Sequence, residues 1–296
     1  MKKTVIFACA LALAACSNEN GKYDITGTFE ATEVTVSAEG TGRLMSFTLE
    51  EGDQIAAGTQ VGLIDTVQLA LKARQFGATE ESIANQRPDI QAQIAATKQQ
   101  IAKAEKEAKR QQNLLNDNAG TQKQLDDALN QVSVLKQQLK AQMSTLDNST
   151  KALNSQMNAT AIQREQILDQ LSKCHIVSPI AGTIIEKYAE QGEFAATGKP
   201  LFKVADLSNM YLRAYITSVQ LKDVKLGQKV KVWSDSGDDN RQSYDGVITW
   251  ISSRSEFTPK TILTDDARAD QVYAVKIAVK NDGYLKIGMY GEVALQ

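Results

Sequence analysis

Histidine is almost missing from this sequence, with His175 the single copy among 296 residues, and aromatic residues amount to only 6%. One histidine cannot build a multi-histidine metal site, and its neighbour Cys174 would point to the other face of a strand. The sequence also lacks the phosphate-loop pattern Gly-x-x-x-x-Gly-Lys-Ser/Thr and the patterns Gly-x-Ser-x-Gly and His-Glu-x-x-His. We therefore expect a protein that is not an enzyme and that holds no metal or cofactor.

A strong charge of either sign is absent as well, since the net charge is −2 at pH 7. A near-neutral chain gives no electrostatic reason to expect nucleic acid as a partner. The hydrophobic content of 42% is sufficient for buried cores. A chain of this length has room for about two or three domains.

The N-terminus has the pattern of a secretory signal. Two lysines precede an apolar run over residues 5–15, which is too short for a permanent membrane span. The run ends in Leu-Ala-Ala-Cys16, which resembles the lipobox of bacterial lipoproteins. The resemblance implies removal of residues 1–15 and a diacylglycerol on Cys16, followed by a polar tether over residues 16–22. The alternative is an ordinary signal peptide with a chance cysteine.

The expected state of each cysteine follows from this interpretation. The three copies are Cys9, Cys16 and Cys174. Cys9 would leave with the signal and Cys16 would be modified, so Cys174 would be the single free thiol. No intramolecular disulfide is then expected, although an exported protein could form one.

Residues 66–172 form a long polar stretch with helical periodicity. Between its halves lies a cluster of turn-forming residues in which Gly120 is the predicted helix C-cap. Apolar or small residues recur at alternating steps of three and four, the seam of a coiled coil. The first seam is Ile94, Thr97, Ile101, Ala104, Ala108, Gln111 and Leu115; the second is Leu125, Ala128, Val132, Leu135, Leu139, Gln142, Leu146, Ser149, Leu153, Gln156, Thr160, Gln163 and Ile167. We predict an antiparallel helical hairpin with arms of about 75–80 Å.

The first arm is not predicted to be uniform. Pro88 removes a backbone donor and should kink or break the helix, and Gly77 weakens it further. The facing part of the second arm contains the polar run Asp147-Asn148-Ser149-Thr150. We therefore predict a joint near residues 85–90 and 147–155.

The segments on either side of the hairpin repeat one another. Glycines recur with the spacing Gly-x9-Gly-x5-Gly, and an aspartate follows: Gly42, Gly52, Gly58 and Asp65 in the first copy, Gly182, Gly192, Gly198 and Asp206 in the second. Apolar positions recur in the pairs Leu44/Ile184, Leu49/Ala189 and Ile55/Ala195. Such copies are typical of short strands with glycine at turns that need positive φ. Residues 23–65 and 173–206 are therefore predicted to pack as two halves of one β domain, which brings Asp65 close to Cys174.

Residues 207–296 alternate in polarity like strands and are predicted to form a small β-barrel. The predicted strands are 210–217, 229–234, 244–252, 272–279 and 291–295, with one short helix in 219–225. Residues 23–34 are expected to contribute a further strand. The predicted fold class is α+β: a long helical hairpin inserted between two halves of a β-sandwich, followed by a barrel.

Several segments together resemble the HlyD-type periplasmic adaptors, also called membrane fusion proteins. They are residues 38–58 and 178–202 in the two halves, and residues 206–216, 257–261 and 285–293 in the barrel. The resemblance implies that the two halves form a lipoyl-like domain. The turn that carries a modified lysine in a true lipoyl or biotinyl domain is replaced here by the hairpin, so carrier function is not expected.

The resemblance also implies a docking site at the hairpin tip. In the family an arginine, a leucine four residues on and a serine seven residues beyond contact a TolC-like outer-membrane channel. The matching residues are Arg110, Leu114 and Thr121, where threonine keeps the hydroxyl and adds a methyl group. The alternative is that Arg110 is an ordinary solvated residue and that Thr121 is only the N-cap of the second arm.

The implied partners are an inner-membrane transporter, a TolC-like outer-membrane channel and further copies of the chain, hexameric in the family. The Phe-Thr-Pro-Lys-Thr segment at 257–261 favours an ABC-type transporter; a resistance-nodulation-division or major-facilitator pump is the alternative. A structural coiled-coil lipoprotein that spaces two membranes is a further alternative, although a spacer would not need the flanking β domains. The implied location is the periplasm. The lipid would anchor the protein to a membrane, and the inner membrane is favoured over the outer.

Overall fold

The computed structural model describes residues 25–235, 241–257 and 271–294. The chain divides into two units: residues 65–174 form a helical unit, and the chain on both sides of it forms a β unit. The helical unit is thus an insertion in the β unit, and the predicted fold class is confirmed.

The two predicted halves of the lipoyl-like domain exchange strands. The first half contributes β2 (Gly42–Phe47), β3 (Gln54–Ile55) and β4 (Gln60–Ile64), and the second contributes β5 (His175–Val177), β6 (Gly182–Lys187) and β7 (Phe194–Ala195). Strand β2 pairs with β7, and β6 pairs with β3, so each half completes the other. Because two-residue strands satisfy few backbone groups by themselves, the sandwich forms only from both halves.

Equivalent positions of the sequence repeat occupy equivalent places. Leu44 is 0% exposed and its counterpart Ile184 is 1% exposed. The glycines at the repeated turns have positive φ, namely 97° at Gly52, 77° at Gly58, 94° at Gly192 and 88° at Gly198. The predicted repeat is therefore confirmed, down to the backbone conformation that only glycine adopts readily.

The barrel consists of six strands that close on themselves. They are β1 (Ile25–Ser37), β8 (Pro200–Thr217), β9 (Lys229–Ser234), β10 (Ser243–Ile251), β12 (Gln271–Lys280) and β13 (Tyr290–Ala294), with the short β11 (Glu256–Phe257) at one edge. The order is β12-β10-β9-β13-β1-β8, and β12 pairs with β8 to close the ring. A 3-10 helix, Gln220–Asp223, follows β8. As predicted, the N-terminal strand β1 enters the barrel, between β13 and β8.

Two long strands connect the barrel to the sandwich. β8 is continuous across the boundary expected at 206/207, and β1 pairs with it on both sides of a register shift at Ala31/Thr32. A bulge bends paired strands without ending them. The β1–β8 pair can therefore belong to both the barrel and the sandwich.

The helical unit has one interrupted and one continuous arm. The first arm is α1 (Val67–Asn85) and α2 (Ile90–Asn116), and the second is α3 (Gln122–Ser172). At 51 residues, α3 is about 76 Å long. Every predicted position of the first seam is buried or partly buried. Of the second seam, Leu125, Val132, Leu146, Thr160 and Ile167 are buried.

The interruption of the first arm spans residues 86–89 and contains Pro88. Asp89 restarts the helix by accepting a hydrogen bond from the Ala92 amide at 3.0 Å. Arg87 crosses to the second arm, where its Nη2 donates to Asn154 Oδ1 at 2.7 Å. Helix α3 is unbroken over 147–155, so bending at this joint remains a prediction.

After Leu146 the second seam was wrong at every other predicted position, since Leu153, Thr160 and Ile167 are buried or partly buried as predicted. Ser149, Gln156 and Gln163 are exposed, whereas Thr150 and Met157 are partly buried. The strict heptad needs 3.5 residues per turn, but a straight helix has 3.6 and drifts by about 20° per heptad. Two successive steps of four, from Gln142 through Leu146 to Thr150, absorb this drift.

The ends of the helical unit lie close together, as predicted. Burial and, secondly, the Asp65 carboxylate raise the pKa of the Cys174 thiol. That thiol donates to the Gln170 carbonyl, whereas His175 contacts Gln60 Oε1 through Nδ1 at 3.1 Å. The adjacent cysteine and histidine thus have separate partners.

Candidate docking site at the hairpin tip

The turn at the hairpin tip is built on Asn118, which has a φ of 57°. Its amide donates to Leu115 O at 3.0 Å, and the Ala119 amide donates to Leu114 O at 2.8 Å. This pair of bonds is a Schellman motif, in which asparagine can take the left-handed position. The prediction that Gly120 caps the helix was wrong.

Gly120 has a different function in this turn. A Cβ atom on it would lie 3.2 Å from Leu115 N and 3.3 Å from Leu114 Cβ. The chain therefore passes close over the end of α2 before α3 begins. This close approach keeps the turn tight around Leu114.

Thr121 begins the second arm with a capping box. Its Oγ1 accepts from the Gln124 amide at 3.3 Å, and its own amide donates to Gln124 Oε1 at 3.0 Å. Two amides that have no partner within the helix are satisfied in this way. The Thr121 hydroxyl therefore has a structural partner as well as exposure to solvent.

Arg110 is exposed and held by one ion pair. Its Nη2 lies 2.7 Å from Glu107 Oε1, and its side chain is 67% exposed. Hydrogen bonds from Gln111 and then Arg110 lower the pKa of the Glu107 carboxyl. The guanidinium keeps donors free to bind an acceptor on another molecule.

Leu114 lies one helical turn beyond Arg110, on the same face. It is 37% exposed, although it adjoins the tightest part of the turn. The structure thus places a cation and an apolar side chain side by side near the tip, with Thr121 just across the turn. Such a surface can donate a charged hydrogen bond from Arg110 to a partner protein and, beside it, make a small apolar contact through Leu114.

Sequence reasoning missed a second apolar element close to the tip. Leu129 is 50% exposed and lines a groove of about 340 Å³ with Ala108, Leu125 and Val132. It lies outside the predicted seam. The sequence did indicate this element, because Leu129 follows Leu125 by four residues and the two therefore lie on the same side of α3.

Replacing Thr121 with alanine is expected to lower the free energy of unfolding by about 1 kcal/mol, because the N-cap hydrogen bond is lost. Denaturant unfolding followed by circular dichroism measures this. Thr121→Ser keeps the hydroxyl and should match the wild type to within a few tenths of a kcal/mol. Equal stability of the alanine and serine variants would contradict the cap.

Several predicted features lie outside the described residues. They are the signal peptide over residues 1–15, the lipidation site Cys16, the tether over residues 16–22 and most of the 257–261 segment. Within the described ranges, no helix has the length and hydropathy needed to cross a membrane.

The lipoyl-like sandwich, the inserted hairpin and the barrel together define a membrane fusion adaptor. A family model described as "RND MFP, barrel-sandwich hybrid domain" matches residues 32–207, more than half of the chain. This chain therefore belongs to that family of membrane fusion proteins.

The chain is also similar to bacterial proteins described as UPF0194 membrane proteins. The chain is 27% identical to a UPF0194 membrane protein of Citrobacter koseri over an alignment of 325 positions, covering 98% of this chain and 96% of that protein. A UPF0194 membrane protein of Yersinia pseudotuberculosis is 33% identical over 115 residues. That alignment covers 38% of this chain and 34% of that protein.

Solved structures share the fold. MacA from Actinobacillus actinomycetemcomitans aligns with a TM-score of 0.54 at 24% identity, covering 92% of this chain and 77% of that one. The membrane fusion protein Spr0693 from Streptococcus pneumoniae R6 aligns with a TM-score of 0.50 at 17% identity, covering 92% and 97%.

Proposed function

We propose that this chain is the periplasmic adaptor of a tripartite exporter, linking an inner-membrane transporter to a TolC-like outer-membrane channel. The observation that carries the proposal is the hairpin tip, where Arg110 and Leu114 are exposed on a family-typical insertion. A spacer would need the length of the hairpin but not a chemically distinct tip.

Docking would use the tip residues in different ways. Arg110 would present its planar fork of donors to a carbonyl or carboxylate of the channel. Its pair with Glu107 already restricts the side chain, so less conformational entropy is lost on binding. Leu114 would bury its exposed part in an apolar pocket, and Thr121 would add a hydroxyl while holding the start of α3.

Membrane attachment would come from a lipid on Cys16 after removal of residues 1–15. Each buried methylene contributes about 0.8 kcal/mol, so two acyl chains hold a protein stably. The anchor would sit in the inner membrane with the protein in the periplasm.

The transporter is proposed to be of the ABC type, because residues 257–261 resemble the branch that works beside such permeases. A resistance-nodulation-division pump is the second candidate, since the description of the matching family model names that class. In either case several copies of the chain, six by family resemblance, would surround the transport path. The adaptor would act through conformation and assembly without catalysing a reaction.

Co-purification tests this function. A tagged full chain would be cross-linked in living cells and isolated from membranes, and its partners identified by mass spectrometry. We expect an inner-membrane transporter with a nucleotide-binding subunit together with an outer-membrane channel. A proton-driven pump in place of the ABC transporter would favour the second candidate. Isolation of the chain without transporter or channel would overturn the proposal in favour of a spacer.

A further inference from the structure

The first residues of β1 and the β8–β9 connection lie at the same end of the barrel. Ile25 at the start of β1 lies opposite Val293 near the end of β13, and Thr26 lies opposite Tyr215 near the end of β8. Ala294 in turn lies opposite Lys231, near the start of β9. The β8–β9 connection, residues 218–228, is therefore at the end of the barrel where β1 begins. We call this the N-terminal end of the barrel.

The β8–β9 connection has apolar residues on two sides, one facing the barrel core and one facing solvent. Leu221 and Val224 pack on the hydrophobic core of the barrel and cover its end. Val219 is 71% exposed and Leu226 is 66% exposed, both on the solvent side. Leu221 and Val224 are sufficient to cover the core at this end. The exposure of Val219 and Leu226 therefore indicates a contact with another partner.

Lysines surround the two exposed apolar residues. Lys222 and Lys225 are exposed, and Lys229 begins the next strand. The only acidic residue between 218 and 229 is Asp223. Among the ion pairs of the described residues, none involves Lys222 or Lys225. Both ammonium groups can therefore bind external anions.

We propose that the N-terminal end of the barrel rests on an anionic phospholipid surface. Val219 and Leu226 enter the boundary between headgroups and acyl chains, and Lys222 and Lys225 extend along it to the phosphates. Apolar residues interleaved with lysine suit lipid headgroups better than a protein partner, because protein interfaces are depleted in lysine and enriched in arginine and aromatic residues.

The length of chain before β1 supports the same partner. Eight residues separate Cys16 from Ile25, and even fully extended they reach only about 30 Å. If Cys16 carries the lipid, as the proposed function states, this end of the barrel cannot lie far from the bilayer. The lipid tethers the barrel, and the headgroup contact orients it.

Vesicle sedimentation tests the contact without the lipid. The chain from residue 17 onward retains every residue that the structure describes and lacks Cys16, so the outcome is independent of lipidation. It would be mixed with phosphatidylcholine vesicles containing or lacking phosphatidylglycerol. We expect binding to the anionic vesicles, and a loss of about 25-fold in Lys222→Gln/Lys225→Gln, since each lysine contributes about fivefold at such a surface. Val219→Ser/Leu226→Ser should also weaken binding.

The control changes the same charge at the other end of the barrel. Lys280 lies opposite Asn209 at the far end of β12, and Lys286 follows in the next connection. Lys280→Gln/Lys286→Gln should leave vesicle binding within about twofold of the wild type, because these lysines would not touch the bilayer. An equal loss in both double variants, or no preference for anionic vesicles, would overturn the proposal.

Discussion

Arg110→Asp is expected to abolish export while the hairpin stays folded. The guanidinium is exposed and 2.7 Å from Glu107, so the change replaces one surface ion pair by a like-charge i,i+3 pair, which is a small cost for an exposed helix face. At the channel, loss of a charged hydrogen bond and introduction of a carboxylate should weaken docking by about 100-fold, or ~3 kcal/mol. Export of a pump substrate and cross-linking to the channel measure the effect.

Two variants separate docking from general charge effects. Arg74, an exposed residue of α1, is far from the tip along the arm, and Arg74→Asp makes the same charge change. It should leave export unchanged. Arg110→Lys keeps the charge but loses the fork of donors, and should export at an intermediate level. Normal export by Arg110→Asp would refute the assigned role.

Gly27→Ala is expected to destabilise the β unit by about 3 kcal/mol, or to prevent its folding, because overpacking against backbone cannot be relieved by a rotamer change. A methyl group on Gly27 would overlap the Arg213 carbonyl oxygen and lie 2.6 Å from Ala214 Cα. These atoms belong to β8, which pairs with β1 through the barrel. The two strands would have to separate. Denaturant unfolding measures the loss.

The neighbouring Thr26→Ala supplies the control. Thr26 is in the same strand and is exposed, so its truncation should change the free energy of unfolding by less than about 0.5 kcal/mol. If the Gly27 and Thr26 variants unfolded at the same denaturant concentration, the close approach of β1 and β8 would be contradicted.

The sandwich of the β unit could be predicted because its signals are duplicated. Leu44 and Ile184, and the turn glycines around them, recur at fixed spacing, so each copy supports the interpretation of the other. The continuity of β8 through Asp206 could not be predicted, because the irregularity lies within β8 itself, between Asp206 and Met210, and a bulge leaves no strong sequence pattern.

The hairpin was predictable from periodicity, but the details near its irregular points were not. The seam shifted at Leu146, where the helix drifts from the heptad. The cap fell on Asn118, because asparagine adopts the left-handed conformation more readily than most residues other than glycine. The contact of Arg87 with Asn154 depends on the pairing of the arms in space. At the tip, the sequence identified Arg110, Leu114 and Thr121 by resemblance, and their roles in docking remain a prediction.

Photo-cross-linking from the tip tests the central claim most directly. A photoreactive amino acid would replace Leu114, and in a second strain Leu71, which is 51% exposed on α1. We predict that irradiation of cells gives an adduct between position 114 and a TolC-like outer-membrane channel, and none from position 71. Absence of a channel adduct at position 114, or equal adducts at both positions, would contradict the account of this chain as a tip-docking adaptor.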